Sequence, residues 1–333
     1  MRITVTGGSG HIGANLVRAL LEARHRVTVL HRSRCRSLEG LEVEHVHGDV
    51  RDPDAVARSV ARAEAVFHLA ARVTIDGDPG GEAHAVNVGG TDQVARACRA
   101  AGVRRLVHFS SIHALAQEPR DLPLDETRPL VDPARALPYD ASKAAAEAVV
   151  SEAVRAGLDA VVVCPTAVLG PHDWQPSALG GVVLKIARGR LLGMVDAGFD
   201  WVDVRDVVTG ALAALARGRR GERYLLSGRW APFRELARAV AGAAGVPVPS
   251  FTSPLWLASL AAPFATAFAR ITGEPAHLTR ESMETLRGSH RDVRHDKAAR
   301  ELGYAPRPLA ETAADTVAWF REAGMLAPPR QRA

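Results

Sequence analysis

The stretch "RITVTGGSGHIG", residues 2–13, joins a short β-branched run directly to a glycine-rich turn. Gly7, Gly10 and Gly13 have the spacing GxxGxxG, and an amphipathic segment follows them. In a strand–turn–helix unit, such glycines permit a tight turn, close approach of the backbone to a pyrophosphate, and close packing of the helix on the strand. The N–H groups at the helix start would then face the phosphates. The stretch therefore predicts a dinucleotide-binding unit.

Beyond this stretch, the first half of the chain alternates apolar β-branched runs with helix-like segments. The strand-like runs are 2–6, 26–30, 43–48, 65–70, 105–110 and 159–163. The helix-like segments between them include 11–23, 53–62, 83–101 and 139–156. Strands that are apolar on both faces and joined by helices indicate a parallel sheet covered on both sides. We therefore predict an α/β fold, a Rossmann-type doubly wound parallel sheet.

The second half of the chain is less regular. Its predicted helices are 206–217, 232–244, 276–287 and 308–323, with one strand at 222–227. We expect residues 1–165 to form an NADP-binding Rossmann domain, with returning segments near 200–230. Residues 166–330 are expected to form mainly a smaller, mixed α/β C-terminal substrate lobe.

The composition is that of an ordinary globular protein. Apolar residues make up 47% of the 333 residues and charged residues 24%, and the net charge of +5 is spread along the chain. Because no basic block is interleaved with aromatic residues, we expect no nucleic-acid partner. Cys35, Cys98 and Cys164 are widely separated, which indicates free thiols in a reducing compartment and no metal site.

The chain shows no sequence pattern for export. It begins "MRITVTGG", without a charged leader and apolar core, so we expect a cytoplasmic protein. The longest apolar stretch, 253–273, is interrupted by Pro263 and is short for a bilayer span. We interpret it as a buried or lid helix, with peripheral membrane contact as the alternative, and expect no stable membrane insertion.

The end of the second predicted strand bears on the choice of cofactor. The run "VLHRSRCRS", 29–37, contains no acidic residue that would bind the ribose hydroxyls of NAD. Arg32, with Arg34 or Arg36 nearby, would instead pair with the 2′-phosphate of NADP. We therefore predict a preference for NADP(H), with use of NAD(H) left open; a solvated basic loop is the alternative interpretation.

Tyr139 and Lys143 are four residues apart in an alanine-rich, helix-like run, in a chain that has only three tyrosines and three lysines. On a helix their side chains share one face. An ammonium group near a phenol stabilises the phenolate, so we expect the phenol pKa to fall from about 10 towards neutral pH. Ser110 and Ser111 end the fifth predicted strand, at the edge where doubly wound folds hold their chemistry. These side chains predict acid–base catalysis at a carbonyl or alcohol oxygen.

Taken together, the motifs resemble the extended short-chain dehydrogenase/reductases, also described as the NAD-dependent epimerase/dehydratase superfamily. The matching pieces are "TGGSGHIG", "GDVRDP", "VFHLAA", "VNVGGT", "FSS", "YDASK", "CPTAVLGP" and "WVDVRDV", which occur in this order. The resemblance implies that Tyr139 is the acid/base, that Lys143 is its partner and that Ser111 binds the substrate oxygen. It also implies cofactor contacts for Gly7, Gly10, His11, Ile12, Gly13, Arg32, Asp49, Val50, Leu69, Ala70, Ala71, Asn87, Tyr139, Lys143, Pro165 and Val168.

Within this superfamily the chain is most similar to the dihydroflavonol-reductase, 3β-hydroxysteroid-dehydrogenase and hopanoid-associated branch. This implies NADPH-dependent reduction of a ketone or aldehyde, or the reverse oxidation, on a small-molecule substrate. Family dehydratases carry Thr-Asp-Glu where this chain has Ser111, Ile112 and His113, so dehydration is disfavoured. His113 either faces the substrate or is packed or solvated, and its role is left open.

Two other functions remain open. One is epimerisation of a sugar nucleotide, whose diphosphate would need Lys185, Arg188 and Arg190 in the second lobe. The other is a non-catalytic NADP-binding sensor or scaffold, although such relatives typically lack the Tyr–Lys pair. A roomy apolar pocket is suggested by Trp174, Phe199, Trp201 and 254–268, and a homodimer through 83–101 and 139–156 is implied by the resemblance alone.

Overall fold

The structure of the protein, a computed structural model, describes residues 1–33, 36–74, 77–191, 193–260 and 279–327. Its main element is a seven-stranded sheet with the order β3-β2-β1-β4-β5-β6-β10, in which every neighbouring pair is parallel. The strands are β1 (Arg2–Thr6), β2 (Arg26–His31), β3 (Glu44–His47), β4 (Ala65–His68), β5 (Arg105–Phe109), β6 (Ala160–Pro165) and β10 (Arg223–Leu226). The predicted doubly wound sheet is confirmed.

The helices that the structure describes cover both faces of this sheet and also pack in the second half of the chain. They are α1 (His11–Glu22), α2 (Pro53–Val60), α3 (Glu82–His84), α4 (Gly90–Ala100), α5 (Pro138–Arg155), α6 (Ala178–Ala187), α7 (Val204–Arg217), α8 (Phe233–Ala244), α9 (Arg280–Gly288), α10 (Asp296–Leu302) and α11 (Leu309–Glu322). One hydrophobic cluster lies between the sheet and α1, α7 and α10. A second cluster lies between the other face and α2, α4 and α5. The chain order reverses between β1 and β4, which is where ligands bind in such sheets.

Local sequence explains where several of these helices begin. The Asp52 side chain accepts a hydrogen bond from the Asp54 N–H, and Pro53 occupies the first position of α2. The Asp203 side chain caps α7 in the same way through the N–H of Arg205. Pro138 begins α5, which places Tyr139 in its first turn, next to the carboxyl edge of the sheet.

The second half of the chain adds two small sheets. Strands β7 (Ala167–Leu169), β9 (Gly198–Asp203) and β11 (Arg229–Pro232) form one, and β8 (Gly193–Val195) and β12 (Phe251–Ser253) form the other. Together with α6, α8 and α11 they enclose a third hydrophobic cluster. The strands predicted from the sequence include none of these five; β7, β8 and β12 have only three residues each, and such short runs show no clear alternation. The mixed α/β character of this half is confirmed.

The predicted helix 83–101 is not one continuous α-helix. A wider π-helical turn, Ala85–Gly89, separates α3 from α4. Its side chains have specific partners: Asn87 binds the backbone of Arg72, and the Thr91 hydroxyl donates to the Asn87 carbonyl. Single π-turns inside helices are frequent at functional sites. The periodicity alone predicts a helix but not this insertion.

The apolar stretch predicted at 253–273 is described as far as residue 260; the rest lies outside the described residues. Residues 255–260 are helical, and the side chains of Trp256 and Leu260 are 62% and 64% exposed. The interpretation as a buried helix is therefore wrong for this part, because only Ala258 is buried here. In the described part of the chain, no helix has the length and apolar character needed to cross a bilayer.

Gly228 lies between β10 of the large sheet and β11 of the three-stranded sheet, where the chain passes from one sheet to the other. A substitution at Gly228 tests how closely this connection packs. A Cβ at this position would lie 1.9 Å from the Trp201 carbonyl oxygen. We expect Gly228→Ala to lower the free energy of unfolding by about 1–3 kcal/mol through overpacking. The matched control is Gly242→Ala in α8, where a Cβ meets nothing within 4 Å. In urea unfolding, this control should be at least as stable as the unaltered protein. If Gly228→Ala is also as stable as the unaltered protein, the close packing of Gly228 on Trp201 is contradicted.

Candidate active site

The glycine loop between β1 and α1 packs directly on the chain that follows β4. Gly7 has a φ of +72°, and a Cβ there would lie 2.6 Å from the Ala70 N atom. At Gly13 a Cβ would lie 2.2 Å from the Gly7 carbonyl oxygen. Both positions therefore require glycine for packing and conformation. Leu69 contributes to the same contact, because its N–H donates to the Thr6 carbonyl at 3.1 Å.

Gly10 differs from the other two glycines. It is exposed, and a Cβ there would meet only the Gly7 carbonyl oxygen, at 3.5 Å. Gly10 is the N-cap residue of α1, and no side chain in the described structure caps this helix. Its first N–H groups thus have no side-chain cap among the described residues, and such N–H groups can bind phosphate at a helix N-terminus. A pyrophosphate contact at this loop stays a prediction.

The two residues that follow Gly10 in the loop are partly buried. His11 Nε2 lies 3.0 Å from the Pro171 carbonyl oxygen, and Asn15 Nδ2 donates to the same oxygen at 2.9 Å. Ile12 packs against the first hydrophobic cluster. The side chains of His11 and Ile12 therefore hold the loop against the second half of the chain, and their contribution to a cofactor would come from the backbone.

At the end of β2, Arg32 has a side chain that is 67% exposed, with Nη1 3.9 Å from Asp49 Oδ2. Arg51 binds the same carboxylate through Nε and Nη2, both at 2.9 Å, which holds the pKa of Asp49 below its usual range. Arg36 points elsewhere: its guanidinium stacks over the Trp174 ring, 4.8 Å from the ring centroid. Three arginines are predicted as candidates for recognising a 2′-phosphate. Arg32 is accessible, Arg36 is held by the Trp174 ring, and Arg34 lies outside the described residues.

The remaining predicted cofactor residues lie along the same edge. Val50 is buried in the second hydrophobic cluster. Ala71 is exposed and follows the segment that packs on Gly7. Pro165 ends β6, and Val168 lies in β7, packed against the first cluster. Val50 follows β3 and Pro165 ends β6, which places both near the carboxyl edge of the large sheet, whereas Val168 lies in β7 of the three-stranded sheet; their contacts with a cofactor stay predictions.

Asn87 connects the wall of the cleft to α5. Its Oδ1 accepts a hydrogen bond from the Arg72 N–H at 2.7 Å, and its Nδ2 donates to the Arg72 carbonyl at 3.0 Å. The same amide donates to Ser142 Oγ at 2.8 Å, and Ser142 donates to the Tyr139 carbonyl at 2.7 Å. The predicted supporting role of Asn87 thus has a definite geometry.

Ser111, Tyr139 and Lys143 come together at the ends of β5 and the start of α5. Ser111 caps a short 3₁₀ turn, with its Oγ accepting from the His113 N–H at 3.2 Å. The Ser111 hydroxyl also forms a hydrogen bond with the Tyr139 phenol. Lys143 is 5% exposed, and its Nζ donates to the Phe109 carbonyl at 2.7 Å. Ser111 and Tyr139 are thus neighbours, and Lys143 lies one helical turn further along α5; that the three side chains act together in catalysis stays a prediction.

The electrostatics of this group correct one expectation. Burial raises the pKa of Tyr139 to about 12, opposed by the hydrogen bond from Ser111, so the expected fall towards neutral pH is wrong. Burial lowers the pKa of Lys143 to about 8, opposed by the charge of Glu147. The reason for the difference is geometric: the Lys143 Nζ is directed at the Phe109 carbonyl. The phenol is thus a proton donor at neutral pH.

The two adjacent serines have different partners. Ser110 Oγ donates to Glu147 Oε2 at 2.8 Å, and both residues are buried. Ser111 is the serine that reaches the phenol. The second serine is therefore the one beside the phenol, and its catalytic role stays a prediction.

His113 faces the catalytic group. Its ring lies edge-on to the Tyr139 ring, with centroids 6.3 Å apart. Nδ1 of His113 is 3.6 Å from Asp140 Oδ1, and the side chain is 28% exposed. His113 thus packs against Tyr139 and Asp140, which agrees with the packed interpretation, and a role towards the substrate stays a prediction.

Sequence reasoning missed a buried polar group under the cleft. His68 bridges Thr6 Oγ1, at 2.7 Å, and Thr91 Oγ1, at 3.0 Å. Its ring centroid is 5.4 Å from that of His108, and within the described residues neither ring nitrogen of His108 has a hydrogen-bond partner. Burial lowers the pKa of His68 to about 3, and it lowers that of His108 well below the ordinary value. In the sequence, His68 and His108 are each a polar residue within an apolar, strand-like run, and this pattern alone does not indicate that the two are neighbours.

The loop with Gly7, Gly10 and Gly13, here called the glycine cradle, lies at the same sheet edge as the Ser–Tyr–Lys group. This combination is typical of dinucleotide-dependent enzymes of the Rossmann class. The chain belongs to the NAD-dependent epimerase/dehydratase family, whose sequence model matches residues 3–227. This confirms the resemblance to the extended short-chain dehydrogenase/reductases. Among the residues that the structure describes, no group of His, Cys, Asp and Glu could hold a metal ion.

Known proteins similar to this chain include reductases and epimerases. Sterol demethylase protein B of Methylococcus capsulatus is 38% identical, over 98% of this chain and 100% of that protein. The 2-alkyl-3-oxoalkanoate reductase of Stenotrophomonas maltophilia is 35% identical, over 93% and 96% respectively. UDP-glucose 4-epimerase of Mycolicibacterium smegmatis is 33% identical, over 96% and 99%. The crystal structure of gox2253 superposes with a TM-score of 0.84 at 33% identity, over 97% and 99% of the two chains.

Gly10 gives a test of the cradle that separates binding from folding. We expect Gly10→Ala to weaken NADPH binding at least about tenfold, because the new methyl group would stand where a phosphate approaches. Its free energy of unfolding should change by less than about 1 kcal/mol. Gly13→Ala is the contrasting variant and should lose stability, since its Cβ would meet the Gly7 carbonyl. Unchanged NADPH binding by Gly10→Ala, measured by fluorescence titration, would contradict the cradle.

Proposed function

We propose that the protein is an NADP(H)-dependent oxidoreductase that reduces a ketone or aldehyde, or oxidises the corresponding alcohol. The observation that carries the proposal is the Tyr139 phenol, hydrogen-bonded to Ser111 at the edge of the cleft, with the Lys143 ammonium buried one helical turn further along α5. These groups supply what carbonyl reduction needs from a protein: a donor to hold the oxygen and an acid to protonate it.

The chemistry divides among the three side chains. The bound dinucleotide supplies the hydride to the carbonyl carbon, or accepts it in the reverse direction. The Ser111 hydroxyl and the Tyr139 phenol donate hydrogen bonds to the carbonyl oxygen, and Tyr139 then transfers its proton to that oxygen. Because its pKa is about 12, the phenol is protonated before the reaction and acts as the acid. The Lys143 ammonium, one helical turn away with its Nζ on the Phe109 carbonyl, is the positive charge that we propose favours the phenolate that remains.

The preference for NADP(H) is part of the proposal. It is supported by the exposed Arg32 guanidinium beside Asp49 and by the lack of an acidic residue at the end of β2. An arginine at this position pairs with a 2′-phosphate through charge-assisted hydrogen bonds. Several structural neighbours, among them a UDP-glucose 4-epimerase of Thermus thermophilus, are complexes with NAD, so NAD(H) is the competing cofactor.

Epimerisation of a sugar nucleotide is the second candidate. It is supported by the epimerases among the relatives, whose substrate diphosphate would need basic groups such as Lys185, Arg188 and Arg190; two of these three offer it little support here. Arg188 donates to the Met325 carbonyl at 2.8 Å, and Arg190 is exposed beyond the end of α6. A non-catalytic role is disfavoured because Ser111, Tyr139 and Lys143 are all in place. We therefore favour net reduction or oxidation.

The substrate proposed for this site is a bulky, largely apolar carbonyl compound. The names of the sterol demethylase and 2-alkyl-3-oxoalkanoate reductase relatives support this class. Phe199 and Trp201 pack edge-on against Phe233 in the second lobe, and a pocket lined by them stays a prediction beside the alternative that they are ordinary core. The domain boundary at residue 165, a homodimer and a cytoplasmic location stay predictions of the sequence.

Arg32 tests the choice of cofactor. We expect Arg32→Ala to weaken NADPH binding by about tenfold or more and NADH binding by less than about threefold, since only NADPH carries the phosphate that Arg32 would bind. Fluorescence titration with both cofactors measures this difference. Arg51→Ala is the matched control, because Arg51 binds Asp49 and should affect both cofactors alike. Tighter binding of NADH than NADPH by the unaltered protein would contradict the proposal.

Tyr139 tests the chemistry. We expect Tyr139→Phe to lower kcat for NADPH-dependent reduction at least about 100-fold, because the proton donor is lost, and to leave NADPH binding within about threefold. The assay follows NADPH oxidation with 2-decanone, 1-decalone and a 2-alkyl-3-oxo ester as probes. Tyr304→Phe is the matched control, since it removes a buried phenol that bonds the Ser227 carbonyl away from the site. Turnover by Tyr139→Phe close to that of the unaltered protein would refute the assignment.

A further inference from the structure

Behind Lys143 lies a buried polar group that the proposed reaction does not use directly. Glu147 is 2% exposed and lies one helical turn beyond Lys143 on the same face of α5. Tyr139, Lys143 and Glu147 thus form a row at i, i+4 and i+8 that runs from the cleft into the interior. A buried carboxylate requires partners that compensate for its lost hydration.

Glu147 has such partners on two strands of the sheet. Ser110 Oγ, at the end of β5, donates to Oε2 at 2.8 Å. The Arg223 guanidinium, from β10, forms an ion pair with Oε1. Arg223 is itself anchored, because its Nη1 donates to the Glu126 carbonyl at 3.2 Å. The carboxylate is therefore fixed in position by groups from separate elements.

The groups that face Lys143 are otherwise uncharged. Cys164, on β6, is a buried thiol whose pKa burial raises well above the ordinary value. His68 and His108, on β4 and β5, are buried imidazoles whose pKa values burial lowers. Burial lowers the pKa of Lys143, and Cys164 and then Glu147 oppose this lowering. Because burial raises the pKa of the Cys164 thiol well above its ordinary value, Cys164 is an uncharged neighbour at neutral pH. Of the described charged groups, Glu147 is thus the anion that favours the Lys143 ammonium.

We propose that Glu147, fixed by Ser110 and Arg223, is a positioning residue for Lys143. It supplies the buried negative charge that keeps the Lys143 side chain an ammonium group with its Nζ on the Phe109 carbonyl, so that the next turn presents the Tyr139 phenol to the cleft. This role deepens the proposed function, since it rests on Lys143 as the partner of Tyr139. It places the electrostatic support of the site one turn deeper in the protein than the catalytic group.

Lysine titration by NMR tests the proposal without a substrate or a cofactor. The chain has three lysines, Lys143, Lys185 and Lys297, so Lys185→Arg and Lys297→Arg together leave a single lysine signal after ¹³Cε labelling. In this background Glu147→Gln should shift the titration midpoint of Lys143 to lower pH by about one unit or more. The sign follows from the charge: without the carboxylate, the buried ammonium loses its proton more readily.

Two further variants separate this role from a general loss of structure. Glu147→Asp keeps the charge and should retain the midpoint of the parent protein within about 0.3 pH units. Asp206→Asn removes a carboxylate of similar burial, which binds Arg307 through Nε at 3.0 Å and Nη2 at 2.8 Å, and should also leave the midpoint unchanged. If Glu147→Gln does not fold, Glu147→Gln combined with Arg223→Gln removes both buried charges and should still lower the midpoint.

The outcomes are distinct. A lower midpoint in Glu147→Gln or the double variant, with no change in the two controls, supports the proposal. A midpoint equal to that of the parent in Glu147→Gln, or in the double variant where the single variant does not fold, would overturn it. The same variants should lose NADPH-dependent turnover at a lower pH than the unaltered protein. If no ketone is reduced but the lysine midpoint shifts, the proposed function fails and the role of Glu147 stands.

Discussion

A buried ammonium group is the feature around which this site is organised. Lys143 is almost fully enclosed between α5 and the ends of β4, β5 and β6, and its Nζ is held by the Phe109 carbonyl. Taking a charge out of water is costly unless hydrogen bonds and an opposite charge compensate. The helix that carries Lys143 must therefore sit in one register against the sheet. The same register puts the Tyr139 phenol at the cleft, in contact with Ser111.

The sheet brings this helix and the glycine cradle to the same edge. The cradle follows β1, the catalytic serine follows β5, and β4 lies between them. Neighbouring strands are about 4.8 Å apart, so the two sites are separated by roughly 10 Å, which one dinucleotide can bridge. The contact between Gly7 and the backbone at Leu69 and Ala70 fixes the height of the cradle above β4. The geometry of the cleft thus follows from strand spacing and from close backbone packing.

Much of this arrangement was predictable from local sequence. The first six strands, the glycine loop and the Tyr139–Lys143 pair have short-range signals, namely alternation, glycine spacing and helical spacing. The phenol pKa was not predictable, because the side-chain direction of Lys143 depends on a carbonyl from β5. The stacking of Arg36 on Trp174 was likewise invisible, since it joins residues far apart in the chain. Long-range contacts decide these details, and the sequence pattern carries little information about them.

A crystal structure of the protein with NADP⁺ tests the account most directly. It should show the pyrophosphate on the N–H groups at the start of α1 and the nicotinamide beside Ser111, Tyr139 and Lys143. The carbon that carries the hydride should then leave space for a substrate oxygen at about 3 Å from the phenol. A nicotinamide bound elsewhere, or a phenol turned away from it, would contradict the catalytic account.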